Sequence, residues 1–155
     1  MRRIITKFSG LAAISMLALA VAQPAQAAQA AQAAQAAQGG AGAAYFEFTD
    51  TTHQTFVFKL TDQGKIQQAR NILAGTETER TQVIGKVVKS PAPYNKPWKY
   101  QLDPDSVSFF GMAVEACDSN MVYLGQHLNE VGGAFLPGST WCDWTSKLTR
   151  EVTPQ

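Results

Sequence analysis

With 155 residues, 45% of them hydrophobic and 16% charged, and a formal charge of +1, the chain has room for one small domain and little more. Arg2, Arg3 and Lys7 belong to its extreme N-terminus, and beyond them 10 basic residues face 12 acidic ones with no Lys/Arg cluster anywhere. Neither nucleic acid nor an anionic membrane is therefore expected as a partner, since both require a positive surface.

The positive head is followed by the apolar run Leu11–Val21 (LAAISMLALAV) and by small-residue sites that begin at Ala25-Gln26-Ala27. That order predicts a secretory signal peptide over residues 1–27 and an extracellular, secreted product. A membrane anchor is the competing reading, but the run is short for ~30 Å of hydrocarbon. Arg2-Arg3 fits a twin-arginine signal only loosely, so general secretion is expected. Ala-Ala-Gln then repeats with a period of three through Gln38, which offers several equivalent cleavage sites and no apolar stripe to bury. With the Gly39–Gly42 linker it makes a low-complexity tail over 28–43, and a single globular domain is expected over 44–153.

Ala44–Thr49 and Gln54–Leu60 alternate aromatic and polar residues around a turn-like Asp50-Thr51-Thr52-His53. They predict a hairpin with Phe46, Phe48, Phe56 and Phe58 on one side. Thr61-Asp62 reads as a helix cap, Ile66, Ala69, Ile72 and Leu73 recur at helical spacing, and Gly75 ends the helix. A third strand is expected over Gln82–Lys89, where Gly85 marks a bulge or a close backbone approach. The prolines of Ser90–Pro97 predict an extended loop. Trp98–Leu102 alternates as a fourth strand, stopped at Asp103-Pro104-Asp105. Val107–Cys117 is apolar enough for a central strand. Asp118 or Ser119 then caps a second helix carrying Met121, Leu124, Leu128 and Val131, which Gly132-Gly133 stops. Pro137-Gly138 is a turn, and Trp144–Val152 a final strand. The predicted fold is α+β: a mostly antiparallel sheet of five or six strands with two helices packed on it and one disulfide.

FVFKLTD (Phe56–Asp62), KVVKSPAPYN (Lys86–Asn95), YQLDPDSVSFF (Tyr100–Phe110) and VGGAFLPGSTWCDW (Val131–Trp144) resemble segments of a family of small exported actinobacterial proteins. These are labelled calmodulin-binding protein through similarity to the N-terminal domain of a slime-mould calmodulin-binding protein. The resemblance spans nearly all of Ala44–Val152 and implies a function in binding rather than any stated reaction. Calmodulin targets are usually basic amphipathic helices. The first predicted helix holds only Lys65 and Arg70 and the second no basic residue, so calmodulin itself is not the expected partner.

Two cysteines in an exported chain are expected to pair, Cys117 with Cys142. Closing that loop stabilises the domain by roughly 3.5 kcal/mol. The alternative is a nucleophilic or metal-binding thiol, for which His127 is the one candidate neighbour. No metal or cofactor is expected. His53 reads as an exposed turn residue and His127, between Leu124 and Leu128, as a partly buried structural one. No nucleophile elbow accompanies them. Asp103 and Asp105 fit a turn stop better than a calcium site. Glu115 with Asp118 is a conceivable acid/base pair, though capping and surface roles explain both.

Tyr94, Trp98, Tyr100, Trp141 and Trp144 remain. Their loops at one end of a sheet make an amphipathic surface for a protein, peptide or glycan ligand, with a protein or peptide favoured. The competing reading has the tryptophans packing over the disulfide to close the core. A secreted, non-catalytic interaction domain is the leading expectation, with Ser90–Pro97 as a presenting loop of the kind a protease inhibitor uses. A small hydrolase built on His127 or Glu115 and a structural envelope protein are the alternatives.

Overall fold

The computed structural model describes residues 42–112 and 116–153. The expected signal peptide (1–27), nearly all of the tail (28–43) and Glu115 lie outside them.

Strands β1 (Ala44–Thr49) and β2 (Thr55–Leu60) form the expected hairpin. Phe46 pairs with Phe58 and Phe48 with Phe56, and all four rings are buried. Strand β9 (Lys147–Val152) pairs with the other edge of β1, which gives the order β2-β1-β9. Helix α1 (Gln63–Leu73) follows β2 because Asp62 caps it, accepting the Lys65 N–H at 2.9 Å. Gly75 ends it in a left-handed conformation, φ +73°. Ile66 and Ala69 point into the core, and Arg70 ties the helix to β9 through Glu151 at 2.8 Å.

A second sheet is organised around β3 (Gln82–Val88). Strand β8 (Thr140–Asp143) runs along Val83–Lys86, β5 (Ser108–Phe110) lies beside Gln82–Ile84, and β4 (Gln101–Leu102) beside Val87–Val88, all antiparallel. Gly85 is the expected close approach: a Cβ there would lie 3.3 Å from both Leu102 and Val107. A short parallel pair, β6 (Val131–Gly132) with β7 (Phe135–Pro137), follows helix α2 (Met121–Gln126).

The fold is thus not a single sheet of five or six strands with a helical layer. Among the described residues nine strands form sheets of three, four and two, with two short helices. The reason lies in what covers the phenylalanine face of the hairpin. Phe48 and Phe56 meet Trp141 at ring distances of 5.8 and 5.4 Å, Phe56 meets Tyr100 at 5.2 Å, and Phe58 meets Phe109 at 6.3 Å. Rings from both sheets fill the interlayer, as in a sandwich core.

The expected central strand Val107–Cys117 shrinks to Ser108–Phe110, and β3 takes the middle instead. Beyond β5 the chain turns outward, with Met112 82% exposed. The second helix stops at Gln126 rather than reaching Val131, which is committed to β6. Its cap is Asn120, accepting the Tyr123 N–H at 2.8 Å, not Asp118 or Ser119. The disulfide joins Cys117 to Cys142 with Cα atoms 5.1 Å apart, and packs with Phe110 and Ile84 in a small cluster of its own.

Candidate functional site

Three segments distant in sequence enclose an open groove of about 380 Å³. The turn after β1 contributes Thr52 and Gln54, the segment before β4 contributes Pro97 to Tyr100, and α2 contributes Val122, Gly125 and Gln126. Trp98 is the half-buried ring at its centre. Its indole N–H donates to the Thr55 carbonyl at 2.7 Å, and its ring lies against Phe56 and Tyr100 at 6.1 and 5.5 Å. With that donor used, the groove meets a fixed apolar surface rather than a free polar edge. Gly125 lets the helix approach, since a Cβ there would stand 3.4 Å from the Trp98 ring and 3.5 Å from Tyr100. Lys99, Gln54 and Gln126 supply the polar rim.

Asn95 holds this segment in place. It is 1% exposed; its Oδ1 accepts the Val57 N–H at 2.8 Å and its Nδ2 donates to the Tyr100 carbonyl at 3.2 Å. One amide thus links the edge of β2 to the strand that follows Trp98. An Asn in a proline loop reads as a turn residue in sequence, so this role has no local signal.

Two buried carboxyls lie behind the groove. Asp50 Oδ1 accepts from the Thr52 N–H and hydroxyl, and its Oδ2 accepts the Met121 N–H at 2.8 Å. Asp143 is 1% exposed; its Oδ1 accepts the Thr145 N–H and hydroxyl at 2.9 and 2.8 Å, while no donor reaches its Oδ2. Burial raises the Asp143 pKa to about 7; the Thr145 hydrogen bonds oppose this, and the charge of Asp50 and a hydrogen bond to it add to it. An oxygen lacking any donor is satisfied once it carries the proton itself and donates to Asp50. Tyr100 is pushed well above the usual phenol range, first by burial and then by both aspartates, and its hydroxyl donates to the Met121 carbonyl at 2.7 Å.

The five aromatics singled out from sequence do not form one surface. Tyr100 and Trp141 are in the core, and the Trp141 indole N–H donates to the Ser119 carbonyl at 2.7 Å. Tyr94 packs edge-on to Tyr45 at 4.9 Å, its hydroxyl donating to Gln101, and burial raises its pKa. Trp144 is 40% exposed and lies against Phe110 near the disulfide. Only Trp98 and Tyr100 contribute to the groove. The Ser90–Pro97 loop folds inward at Ala92 and Asn95 rather than projecting throughout.

His127 stacks on Tyr123 at 4.1 Å, and its Nδ1 lies 2.8 Å from Glu130. Among the described residues no hydroxyl or thiol hydrogen-bonds its ring. His53 is exposed in the hairpin turn. Asp103 Oδ1 accepts the Asp105 N–H and Asp105 accepts the Thr61 hydroxyl, a turn closure. Asp118 accepts the Trp144 N–H at 3.3 Å. Among the described residues no three His, Cys, Asp or Glu side chains are grouped to hold a metal ion.

Fold and site define a small β-rich module closed by one disulfide, with a groove floored by a pinned tryptophan. Residues 42–155 match the family model of the N-terminal domain of the slime-mould calmodulin-binding protein, and the chain belongs to that family. No curated protein and no solved structure matches the chain.

Proposed function

We propose that the chain is a secreted, non-catalytic binding module whose groove at Trp98 takes a bulky side chain from a protein or peptide partner. The observation that carries this reading is the Trp98 ring, held half-buried with its only donor occupied and open space above it. Pre-fixed aromatic surface of this kind binds without the ordering cost of a mobile side chain. A groove of about 380 Å³ matches one or two side chains rather than an extended ligand. Lys99 at the rim favours an acidic residue beside the anchor. Secretion agrees with the disulfide, which persists in oxidising compartments.

Peptide-display selection on the immobilised chain tests the reading. The enriched peptides should carry an aromatic or large aliphatic anchor flanked by Asp or Glu. Trp98→Ala should weaken them about tenfold or more and Lys99→Ala by a few-fold, roughly the values of a buried anchor and a rim charge. Selected peptides that bind Trp98→Ala as well as the wild type would remove the groove from consideration.

A further inference from the structure

The walls of the groove meet at one carboxylate. Asp50 holds the hairpin turn through the Thr52 N–H and hydroxyl, and holds the start of α2 through the Met121 N–H. Thr52 lines one side of the groove, and Val122, Gly125 and Gln126, on the helix that begins at Met121, line the other. Behind Asp50 sits Asp143, in the turn between β8 and β9, with its Oδ2 buried and facing no donor. The two turns adjoin, because the Thr51 N–H reaches the Thr145 hydroxyl at 3.4 Å.

We propose that Asp50 and Asp143 share one proton, and that this proton sets the spacing of the groove walls, so that binding at Trp98 is switched by pH near neutrality. The idea rests on the groove reading above for its consequence, not for the pair itself. In the protonated state Asp143 Oδ2–H donates to the Asp50 carboxylate, and every oxygen of the pair has a partner. When that proton leaves for solvent, two negative charges face each other in a site closed to water. No basic side chain compensates: among the described residues the ion pairs of Arg70, Arg80, His127 and Arg150 all go to glutamates elsewhere. The remaining neighbours are the Tyr100 hydroxyl, already donating to the Met121 carbonyl, and Asp118, whose Oδ1 accepts the Trp144 N–H. Repulsion is relieved by Asp50 swinging away or admitting water, and either movement releases Thr52, Met121 or both. A raised Asp143 carboxyl, titrating near 7, places the event in the physiological range.

Carbon-detected NMR titration of the full chain from pH 4 to 9 tests the pair without any ligand. The Asp143 carboxyl carbon should titrate near neutrality, and the Thr52 and Met121 amide signals and the Trp98 indole signal should move with the same midpoint. In Asp143→Asn the side-chain amide donates to Asp50 at every pH, so those three signals should stay at their low-pH positions. An Asp143 carboxyl that titrates in the ordinary carboxylate range, or groove signals that ignore it, overturns the proposal. Should Asp143→Asn fail to fold, the wild-type carbon titration and Asp50→Asn, which should lower the Asp143 midpoint, still decide it. The selected peptides complete the test: wild-type affinity should fall about threefold or more between pH 6 and 8, and Asp143→Asn affinity should not. Peptides that need Trp98 yet bind equally at both pH values sink the switch while sparing the groove. Loss of the groove reading instead shows as peptides indifferent to Trp98→Ala, with the carbon titration unaffected.

Discussion

Asn95 satisfies two backbone groups that no strand reaches, the Val57 N–H on the edge of β2 and the Tyr100 carbonyl. Truncation to alanine leaves both without this partner at a buried position, so Asn95→Ala should cost about 2–3 kcal/mol in urea denaturation. Asn95→Asp keeps the acceptor but loses the donor to Tyr100, and should fall between the two. Asp143 works in the opposite sense, because its ionised form is the costly one. Its folded pKa of about 7 lies above the ordinary carboxylate range. Its contribution to stability is fully present below about pH 4, where both states are protonated. As pH rises toward 7 the unfolded chain releases the proton while the fold keeps it, and stability drops with a slope approaching about 1.4 kcal/mol per pH unit. Above the folded pKa the loss is complete. Chemical denaturation at successive pH values should show this slope in the wild type, and Asp143→Asn should lack Asp143's share of it. Equal slopes would mean that the Asp143 carboxyl titrates alike in both states.

At the level of elements, the segment after β5 depends on a missing side chain. A Cβ on Gly111 would lie 1.9 Å from the Glu79 carbonyl oxygen, an overlap with main chain that no rotamer relieves. Gly111→Ala must therefore separate the Glu79–Arg80 loop from the end of β5, at about 2–4 kcal/mol, seen as a lower denaturation midpoint with an unchanged m value. Gly64→Ala, in the first turn of α1, makes a useful contrast. Its Cβ would lie 3.1 Å from the Asp62 side chain, a contact that a slight shift of the cap relieves. What could be recognised in the sequence follows the same division. β1, β2 and α1 are six, six and eleven residues long, enough for alternation or a 3.6-residue period to appear, and Asp62 and Gly75 bracket α1. Strands β4 to β8 have two to four residues each, too few to display a period, and β4, β5 and β8 exist because β3 offers both its edges. Apolar content alone places Val107–Cys117 at the centre, yet burial there comes from the interlayer of rings and from the disulfide cluster.

For the molecule as a whole, aromatic residues announce a binding surface without revealing which of them line it. Trp98 and Trp141 have equally apolar neighbourhoods in sequence, and only the pairing of β8 with β3 draws Trp141 inside. The groove joins residues near 52, 98 and 125, a convergence that belongs to the tertiary fold. The cross-link operates on this same scale. Cys142 lies in β8 at the heart of the second sheet, and Cys117 just before α2, so the bond ties the approach to that helix to the sheet. Opening it frees the intervening loop in the unfolded chain and should cost about 3.5 kcal/mol. For a domain of this size that corresponds to a fall in Tm of about 10–15 °C. Scanning calorimetry of the oxidised protein, the reduced protein and a Cys117→Ser/Cys142→Ser variant should place the last two together and well below the first. Because the disulfide cluster of Phe110, Ile84, Cys117 and Cys142 shares no residue with the groove, peptide binding measured below the lowered Tm should survive reduction. A reduced protein that melts within a degree or two of the oxidised one would mean that the two sheets hold the α2 approach unaided. Binding lost on reduction while the fold persists would instead show that the groove borrows its shape from that approach.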